Sequence, residues 1–406
     1  MGPLSGIKVL DLTRILAGPW ATQVLADFGA EVWKIEQPNM GDDTRSWGPP
    51  FLNDTAGQPT KESAYYLSAN RGKHSLTIDI AHPEGQKLVR ELIEKADIVI
   101  ENFKVGGLEK YQLDYASAQA LNPKIIYCSI TGFGQTGPAA GHAGYDAMIQ
   151  GMGGLMSITG VESGSPGAGP QKVGVAVADL MTGMYAVSSV LAALHHRNST
   201  GLGQHIDLAL LDTQVGWLAN QGMNYLVGGQ VPTQNGTAHP NIVPYQAFST
   251  ADGHIMLAVG NDSQFSRCCD VLGLTGLATD VRFSTNSARV ANRQILVPQL
   301  TDAIGRRTLD DLQAAFNAAG VPCGPINTFD RVFDEPQVKH REMAITLEHP
   351  LAGTVPQIAN PVKFSETPID YKKAPPLLGE DTEQKLAELL GLDAEHLTQL
   401  RAAGVI

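Results

Sequence analysis

The stretch that decides the fold is residues 7–37, IKVLDLTRILAGPWATQVLADFGAEVWKIEQ. Residues 7–12 form a short apolar run with β-branched side chains, which predicts a buried strand. Residues 18–28 predict a helix, because they begin with a glycine-proline pair and proline is tolerated in a first helical turn. Residues 31–37 predict a second strand. A strand, a helix and a strand in this order indicate two parallel strands joined by a right-handed crossover.

The same alternation of strands and helices continues to about residue 210. Strand-like runs lie at 75–80, 97–103 and 124–130, and the helical pattern PEGQKLVRELIEKA lies between the first two. We therefore predict an α/β protein with a large, open, Rossmann-like parallel sheet. Further along, YQAFSTADGHIMLAVG predicts two strands around a turn and a smaller α+β domain. The predicted organisation is a large domain at 1–210 and 351–406, a small domain at 231–325, and linkers at 211–230 and 326–350.

The composition excludes several classes of protein. The chain has 406 residues, with 29 Lys and Arg against 41 Asp and Glu, a net charge of −12. An acidic surface argues against nucleic acid or an anionic membrane as a partner. No secretory signal and no run of 18 apolar residues is recognisable. The four cysteines form no CxxC pair, so we expect a reduced, cytoplasmic protein.

Two motifs suggest cofactor sites that their contexts do not favour. The sequence GFGQTG matches GxGxxG at Gly132, Gly134 and Gly137. A dinucleotide site needs a helix that begins inside this motif, but here proline and further glycines follow it. The pair His195-His196 has no other metal ligand nearby, and adjacent helical residues point about 100° apart. We predict neither a nicotinamide or flavin site nor a metal site.

Asp179 has two possible roles. It follows the small-residue run VGVAVA and stands at the start of a long apolar helix that we predict from about 179 to 196. Aspartate at such a position is typical of an N-cap, although Thr182 stands where a capping box has Glu or Gln. The other interpretation is a carboxylate nucleophile at the mouth of a glycine-rich cleft. The residue types by themselves favour the cap and leave the nucleophile open.

Many separate motifs resemble one enzyme family. They are VLDLTRILAGPWATQVLADFGAEVWKIEQP, GDDTRSWGPPF at 41–51, NRGKHSL, IENF, YCSITGFGQTGP, AGYD and VAVADLMTG. With these motifs, in order from Leu4 to the C-terminus, the chain resembles the class III CoA-transferases of the CaiB/BaiF family. NGTAHPNIVPYQAF at 235–248 and EPQVKHREM are most similar to the subgroup that moves CoA between succinate and glutarate-like dicarboxylates.

The resemblance implies a function for Asp179 and an assembly for the chain. It makes Asp179 the catalytic aspartate, which attacks an acyl-CoA thioester to form an anhydride and then carries CoA as an aspartyl thioester. It implies that no prosthetic group is needed and that CoA and acyl-CoA are substrates, with a dicarboxylic acid as acceptor. It also implies an interlocked homodimer, with each active site between a large domain and the partner's small domain.

The resemblance also implies contacts with the substrates. Residues 259–264 align with the family's mobile glycine-rich loop, although this copy has one glycine. His239 and Tyr245 are candidate contacts for a substrate carboxylate. The residues expected to bind CoA are Arg14, Ala17, Arg71, Ile78, Asn102, Phe103, Lys104, Lys110 and Tyr145, and those expected in the loop near the substrate are Gly260, Asn261 and Gln264.

Two alternatives stay open at this point. An α-methylacyl-CoA racemase of the same superfamily needs a second acid/base group beside Asp179. Racemase-like sequences carry a histidine just before the aspartate of the GYD motif, where this chain has Tyr145, and His142 lies three residues too early. The other alternative is a CoA-binding protein without turnover, which the retained motif around Asp179 disfavours.

Overall fold

The computed structural model describes all 406 residues. The chain divides into two compact units, one formed by residues 1–155, 173–226 and 337–406 and the other by residues 156–172 and 227–336. The segment 156–172, which the sequence predicts as part of the large domain, belongs to the second unit.

The strands are β1 Lys8–Asp11, β2 Glu31–Glu36, β3 Phe51–Asn53, β4 Pro59–Ser63, β5 Lys73–Thr77, β6 Ile98–Glu101, β7 Ile126–Thr131, β8 Gln204–Ala209, β9 Tyr245–Ser249, β10 His254–Ala258, β11 Cys323–Pro325, β12 Ala344–His349 and β13 Gly353–Ile358. The helices of the first half are α1 Ala17–Asp27, α2 Ala64–Leu67, α3 Pro83–Lys95, α4 Tyr115–Leu121, α5 Asp146–Met152, α6 Leu155–Ile158, α7 Val177–Thr200, α8 Leu210–Gly216 and α9 Ala219–Gly228. Those of the second half are α10 Asp262–Leu272, α11 Thr275–Thr279, α12 Asn286–Ala291, α13 Arg293–Gly305, α14 Leu309–Ala318, α15 Phe329–Asp334, α16 Pro336–His340, α17 Thr382–Leu390 and α18 Ala394–Ala402.

The first unit is built on a six-stranded sheet in the order β5-β2-β1-β6-β7-β8. Every neighbouring pair in it is parallel, which confirms the predicted fold class. Both faces of the sheet are covered, because successive residues of a strand point to opposite sides. Val9 belongs to the core shared with α1 and α7, and Leu10 to the core shared with α3, α17 and α18.

The second unit has its own core. Strands β9, β10 and β11 form an antiparallel sheet in the order β11-β10-β9, and β9 and β10 are the predicted hairpin. Phe265, Phe283 and Phe316 lie at the centre of this core and are almost completely buried.

Helix α7 is the longest helix, and it is apolar enough by length and composition to cross a membrane. Of its most apolar 18-residue stretch, 56% is buried inside the folded chain, and the core helices of soluble proteins can be equally long and apolar. The helix packs on α1 at Gly183, where a Cβ atom would lie 2.7 Å from the Ala17 carbonyl oxygen. Glycine at this position therefore allows α7 to lie against α1.

The GFGQTG segment is a loop rather than a helix start. After β7 the next helix begins at Asp146. A Cβ atom on Gly132 would lie 2.6 Å from the Cα atom of Gly144, so the first glycine of the motif lets the AGYD segment approach the end of β7. This glycine has a packing function that brings Tyr145 and Asp146 to the sheet edge.

Candidate active site

A cavity of about 600 Å³ lies in the first unit at the carboxyl ends of the parallel strands. Leu12 follows β1, Gln37 follows β2, Ile78 follows β5, Asn102 follows β6, and Gly132 follows β7. Open parallel sheets bind their ligands at this edge, because the loops after the strands converge there.

The cavity brings together almost all of the site residues predicted for the large domain. Its lining includes Asp179, Arg14, Ala17, Ile78, Asn102, Phe103, Lys104, Lys110 and Tyr145. Arg71 does not line it. Tyr145 is 61% exposed at the rim, whereas Ile78 is buried in the wall.

Asp179 is the third residue of α7 and does not cap it. The N-cap position is Ala176, which offers no side-chain acceptor. The capping acceptor comes from Asp146, whose Oδ1 accepts hydrogen bonds from the backbone N–H of Ala178 at 2.8 Å and of Asp179 at 3.4 Å. The Nε2 of Gln150 donates to the other oxygen of Asp146 at 2.7 Å. The N-cap interpretation of Asp179 is therefore wrong, because an aspartate from another helix performs that function.

The environment of Asp179 favours its protonated form. Burial, as the larger cause, and the negative charge of Asp146 together raise the pKa of Asp179 to about 7. A helix N-terminus stabilises a carboxylate by about 0.3–1 kcal/mol at exposed sites, which is too little to cancel a shift of this size. A partly buried carboxyl with a pKa near neutrality, facing a cavity, is typical of a functional group.

Tyr65 is a neighbour of Asp179 that the sequence did not reveal. It lies on the short helix α2, and its ring contacts Trp47 edge-on at 5.1 Å. Burial raises the pKa of Tyr65 to about 12, and the charges of Asp179 and Asp146 contribute to the shift. Its hydroxyl therefore stays protonated at neutral pH and is a hydrogen-bond donor beside the two aspartates.

The cavity floor contains a strained residue that is held by buried charges. Ile15 has a φ of 73°, a left-handed conformation that is unusual for a β-branched residue. Its N–H donates to Asp42 Oδ1 at 3.2 Å, and Lys34 Nζ donates to the other oxygen of Asp42 at 2.9 Å. Burial opposes ionisation of Asp42, but Lys34 and hydrogen bonds from Thr44 lower the pKa of Asp42 to about 2. The ionised aspartate therefore fixes the backbone that leads into α1.

Three cations surround the cavity opening. Arg14 is paired with Asp43 at 2.9 Å and lies 5.7 Å from the ring centre of Phe103. Lys110 lies 4.5 Å from the ring centre of Tyr111, and Lys104 is exposed. Asn102 Oδ1 accepts a hydrogen bond from the backbone N–H of Arg14 at 3.0 Å, and Asn102 Nδ2 donates to the backbone carbonyl of Arg14 at 2.7 Å. These two bonds join the ends of β1 and β6.

Arg71 is engaged in the interior of the first unit. Its Nε and Nη2 donate to the two oxygens of Asp27 at 2.9 and 2.7 Å, and its Nη1 donates to the carbonyl of Ile358 at 2.8 Å. The Arg71 side chain is 5% exposed. A positive charge in the sequence therefore marks a buried ion pair at this position rather than a group on the cavity wall.

The predicted loop residues lie in the second unit at the start of α10. Asn261 is the N-cap, and its Oδ1 accepts hydrogen bonds from the N–H of Gln264 at 2.9 Å and from the hydroxyl of Ser263 at 2.8 Å. Gln264 Oε1 in turn accepts from the N–H of Gly260 at 2.7 Å. These reciprocal bonds resemble a capping box and hold residues 260–264 at the beginning of the helix. His239 and Tyr245 also lie in this unit, with their rings stacked at 5.3 Å.

Comparison with known proteins identifies the family of this chain. Residues 4–382 match the model of CoA-transferase family III, and the chain belongs to that family. It is an enzyme of the CoA-transferase class. No group of three or more His, Cys, Asp or Glu side chains is arranged to hold a metal ion.

Several relatives are similar over nearly their whole length. The chain is 52% identical to the succinate–glutarate CoA-transferase of Agrobacterium fabrum, over 95% of this chain and 96% of the relative. It is 44% identical to the human succinyl-CoA:glutarate CoA-transferase, over 100% of this chain and 90% of the relative. The crystal structure of a CaiB/BaiF family protein from Brucella suis superposes with a TM-score of 0.83 at 51% identity, over 96% of this chain and 99% of that chain.

Proposed function

We propose that this enzyme transfers CoA from succinyl-CoA to glutarate. The observation that carries the proposal is that Asp179 faces the cavity formed by the strand ends, together with most of the residues expected to bind CoA. The names of the relatives at 44% and 52% identity support succinate and glutarate as the acids. CoA and acyl-CoA are substrates in this proposal, and no prosthetic group takes part.

The proposed reaction has four steps on Asp179. Its carboxylate attacks the succinyl thioester carbonyl, which forms an aspartyl–succinyl anhydride and releases the CoA thiolate. The thiolate attacks the aspartyl carbonyl, which gives aspartyl-CoA and free succinate. Glutarate then attacks aspartyl-CoA to form a second anhydride, and the released thiolate attacks its glutaryl carbonyl. Glutaryl-CoA leaves and the Asp179 carboxylate is restored.

The electrostatics of the site suit this sequence of steps. A carboxyl with a pKa of about 7 is still substantially ionised at neutral pH, and its carboxylate is a stronger nucleophile than one of ordinary pKa. Asp146 accepts the hydrogen bonds of the first backbone N–H groups of α7, so the carboxylate oxygens of Asp179 are not needed for capping. Arg14, Lys104 and Lys110 supply positive charge for the CoA phosphates, which an acidic protein must provide locally.

We further propose a cytoplasmic homodimer. Several apolar side chains of the first unit are exposed to solvent, and large exposed apolar patches are rare in monomeric proteins. We therefore propose that a second copy of the chain covers them. On α7, Met184 and Tyr185 are 41% and 43% exposed, and on α9, Met223 and Leu226 are 54% and 74% exposed. A protein that sediments as a stable monomer would contradict the proposed assembly.

The function is tested by product analysis. The enzyme is incubated with succinyl-CoA and a panel of dicarboxylates, and the acyl-CoA products are identified by mass. We expect glutaryl-CoA among the products and, after rapid quenching, a CoA adduct on a peptide containing Asp179. Asp179→Asn should give neither. CoA transfer that persists in this variant would refute the proposal that Asp179 is the nucleophile. A wild-type protein that binds CoA without forming any product would support the non-catalytic alternative.

One observation makes the racemase alternative worth testing. His142 lines the same cavity as Asp179, although its position in the sequence does not match the racemase motif. A racemase exchanges the proton on the carbon next to the thioester with solvent. Incubation of a 2-methylacyl-CoA in deuterated water would show incorporation if this activity exists, and we expect none.

A further inference from the structure

The segment that joins β1 to α1, residues 13–15, is held by side chains from the first unit. No backbone–backbone hydrogen bond involves these three residues. The N–H of Thr13 donates to Asp11 Oδ1 at 2.9 Å, and the carbonyl oxygen of Thr13 accepts from Lys34 Nζ at 2.9 Å. The conformation of the segment therefore depends on charged side chains that lie outside it.

The other two residues of the segment are held in the same way. Both backbone groups of Arg14 bond to the Asn102 amide. The N–H of Ile15 donates to Asp42 Oδ1 at 3.2 Å. Arg14, Ile15 and the first residue of α1, Ala17, line the large cavity. The side chains that hold the segment therefore also set the shape of this wall of the cavity.

Lys34 and Asp42 form a buried ion pair behind the segment. Lys34 Nζ donates to Asp42 Oδ2 at 2.9 Å, and both side chains are 0% exposed. Burial disfavours the Lys34 ammonium, but the charges of Asp42 and Asp11 outweigh it and raise the pKa of Lys34. Both members of the pair are therefore charged at neutral pH. Because neither side chain is exposed, an effect on a ligand must pass through the segment that they hold.

The conformation of Ile15 is one that the segment would not keep without these bonds. Its φ of 73° is left-handed, which is costly for a β-branched residue. Such conformations persist only where the surrounding structure enforces them. When the bond from its N–H to Asp42 is lost, we expect Ile15 to relax and to move both Arg14 and the start of α1.

We propose that Lys34 and Asp42 are positioning residues of the acyl-CoA site, and that they hold residues 13–15 in the conformation that binds CoA. This inference rests on the proposed function, because it takes the large cavity as the CoA site. It assigns a function in substrate binding to a buried ion pair that contacts no substrate.

The first test removes the acceptor for the Ile15 N–H. In Asp42→Ala, the Kd for CoA and the KM for succinyl-CoA should rise about 5- to 30-fold, because affinity falls with the fraction of molecules in the binding conformation. The kcat should stay within about twofold of the wild type, since bound substrate restores that conformation. Asp42→Asn keeps an acceptor for the Ile15 N–H and should show a smaller rise.

The second test asks whether the effect passes through Ile15. Glycine adopts a left-handed conformation without strain. In an Ile15→Gly background, Asp42→Ala should therefore raise the Kd for CoA by less than about threefold over Ile15→Gly alone. A general loss of stability would not depend on the residue at position 15, so this double-mutant cycle separates positioning from folding.

The matched control is an ion pair at the other end of the same strand. Lys385 Nζ lies 2.7 Å from an oxygen of Glu31, the first residue of β2, and the Lys385 side chain is 9% exposed. Lys385→Met should lower the thermal midpoint and leave the Kd for CoA unchanged. If Asp42→Ala does not fold, Asp42→Asn replaces it, and its smaller rise in Kd should also shrink in the Ile15→Gly background.

Calorimetry with CoA and a transfer assay together give distinct outcomes. A folded Asp42→Ala with wild-type affinity for CoA, or an equal rise in Kd with isoleucine and with glycine at position 15, would overturn the inference and leave the proposed function intact. A wild type that binds CoA but transfers none would refute the proposed function, and the Kd values would still decide the positioning. A wild type that does not bind CoA would overturn both.

Discussion

Replacing Asp179 by asparagine should stabilise the protein, and the gain should grow as the pH rises. Burial raises the pKa of Asp179 from 3.8 to about 7, so the folded state resists its ionisation. The sign follows from linkage. Below pH 3.8 both the folded and the unfolded chain carry the proton, and the site costs nothing. Between pH 3.8 and 7 the unfolded chain ionises first, and the cost to folding grows until it becomes constant above pH 7.

The magnitude follows from the size of the shift. About three pKa units at 1.36 kcal/mol per unit give roughly 4 kcal/mol above pH 7 and roughly 1 kcal/mol at pH 4.5. Asparagine keeps the shape but does not ionise, so its gain over the wild type should differ by about 3 kcal/mol between these conditions. For 406 residues the unfolding entropy is about 0.9 kcal/mol/K, so the difference corresponds to about 3–4 °C in thermal midpoint.

The assay is thermal unfolding of both proteins at pH 4.5, 6 and 8 and at one protein concentration, because association would shift the midpoints. Asp302→Asn is the control, because Asp302 is 68% exposed beside Arg306. This variant should not gain thermal stability over the wild type as the pH rises. A midpoint difference between Asp179→Asn and the wild type that is the same at all three pH values would refute the reasoning. It would mean that Asp179 ionises in the folded protein as it does in water.

Three further predictions concern the same unit. The kcat/KM for succinyl-CoA should rise with pH and level off above an apparent pKa near 7, because only ionised Asp179 attacks; a profile flat between about pH 5 and 9 would contradict this assignment. Arg71→Gln should lower the free energy of unfolding by about 3–5 kcal/mol, because it leaves the carboxylate of Asp27 buried without its cation. The variant that still folds should keep the wild-type KM for the CoA substrate. A raised KM with an unchanged free energy of unfolding in a denaturation series would instead show that Arg71 binds phosphate. Asp146→Ala should cost about 1–2 kcal/mol by removing the acceptor for the N–H of Ala178, whereas Asp146→Asn, which keeps an acceptor, should cost less; equal losses in thermal unfolding would show that capping is not the function of Asp146.

Local patterns in the sequence were sufficient for the elements of the large sheet. The strand at 31–37 is β2, Glu31–Glu36, and the helix that begins with Pro83 is α3, Pro83–Lys95. These elements are set by apolar periodicity and by proline at a helix start, which are properties of neighbouring residues. The order β5-β2-β1-β6-β7-β8 was not predicted, because strand neighbours are chosen by tertiary packing.

The start of α7 shows where local reasoning fails. The sequence predicts its beginning at Asp179, the first residue with a capping side chain, but the helix begins at Val177. The acceptor that completes its first turn belongs to Asp146, which is 33 residues away from Asp179 in the chain. No pattern within the helix sequence can reveal a cap that another helix supplies.

The candidate site was predicted through resemblance more than through chemistry. Residue types alone favoured a cap at Asp179, and the family motifs made it a nucleophile. Tyr65 and Asp42 were missed because they lie in short elements without apolar periodicity, where only the fold shows their neighbours. Arg71 illustrates the opposite error, since its charge suggested a phosphate contact whereas packing places it against Asp27. Charge in a sequence does not distinguish a surface cation from a buried ion pair.

Two aspartates at one helix N-terminus explain why Asp179 can be reactive at all. A single aspartate that capped α7 would accept hydrogen bonds from the helix amides, and those bonds would lower its pKa and occupy its oxygens. Asp146 accepts the amides of Ala178 and Asp179, which leaves the Asp179 carboxylate directed to the cavity. The same arrangement puts a second negative charge nearby, and this charge adds to burial in raising the pKa of Asp179. The features that are typical of a cap and of a nucleophile are therefore both present, but two different residues carry them.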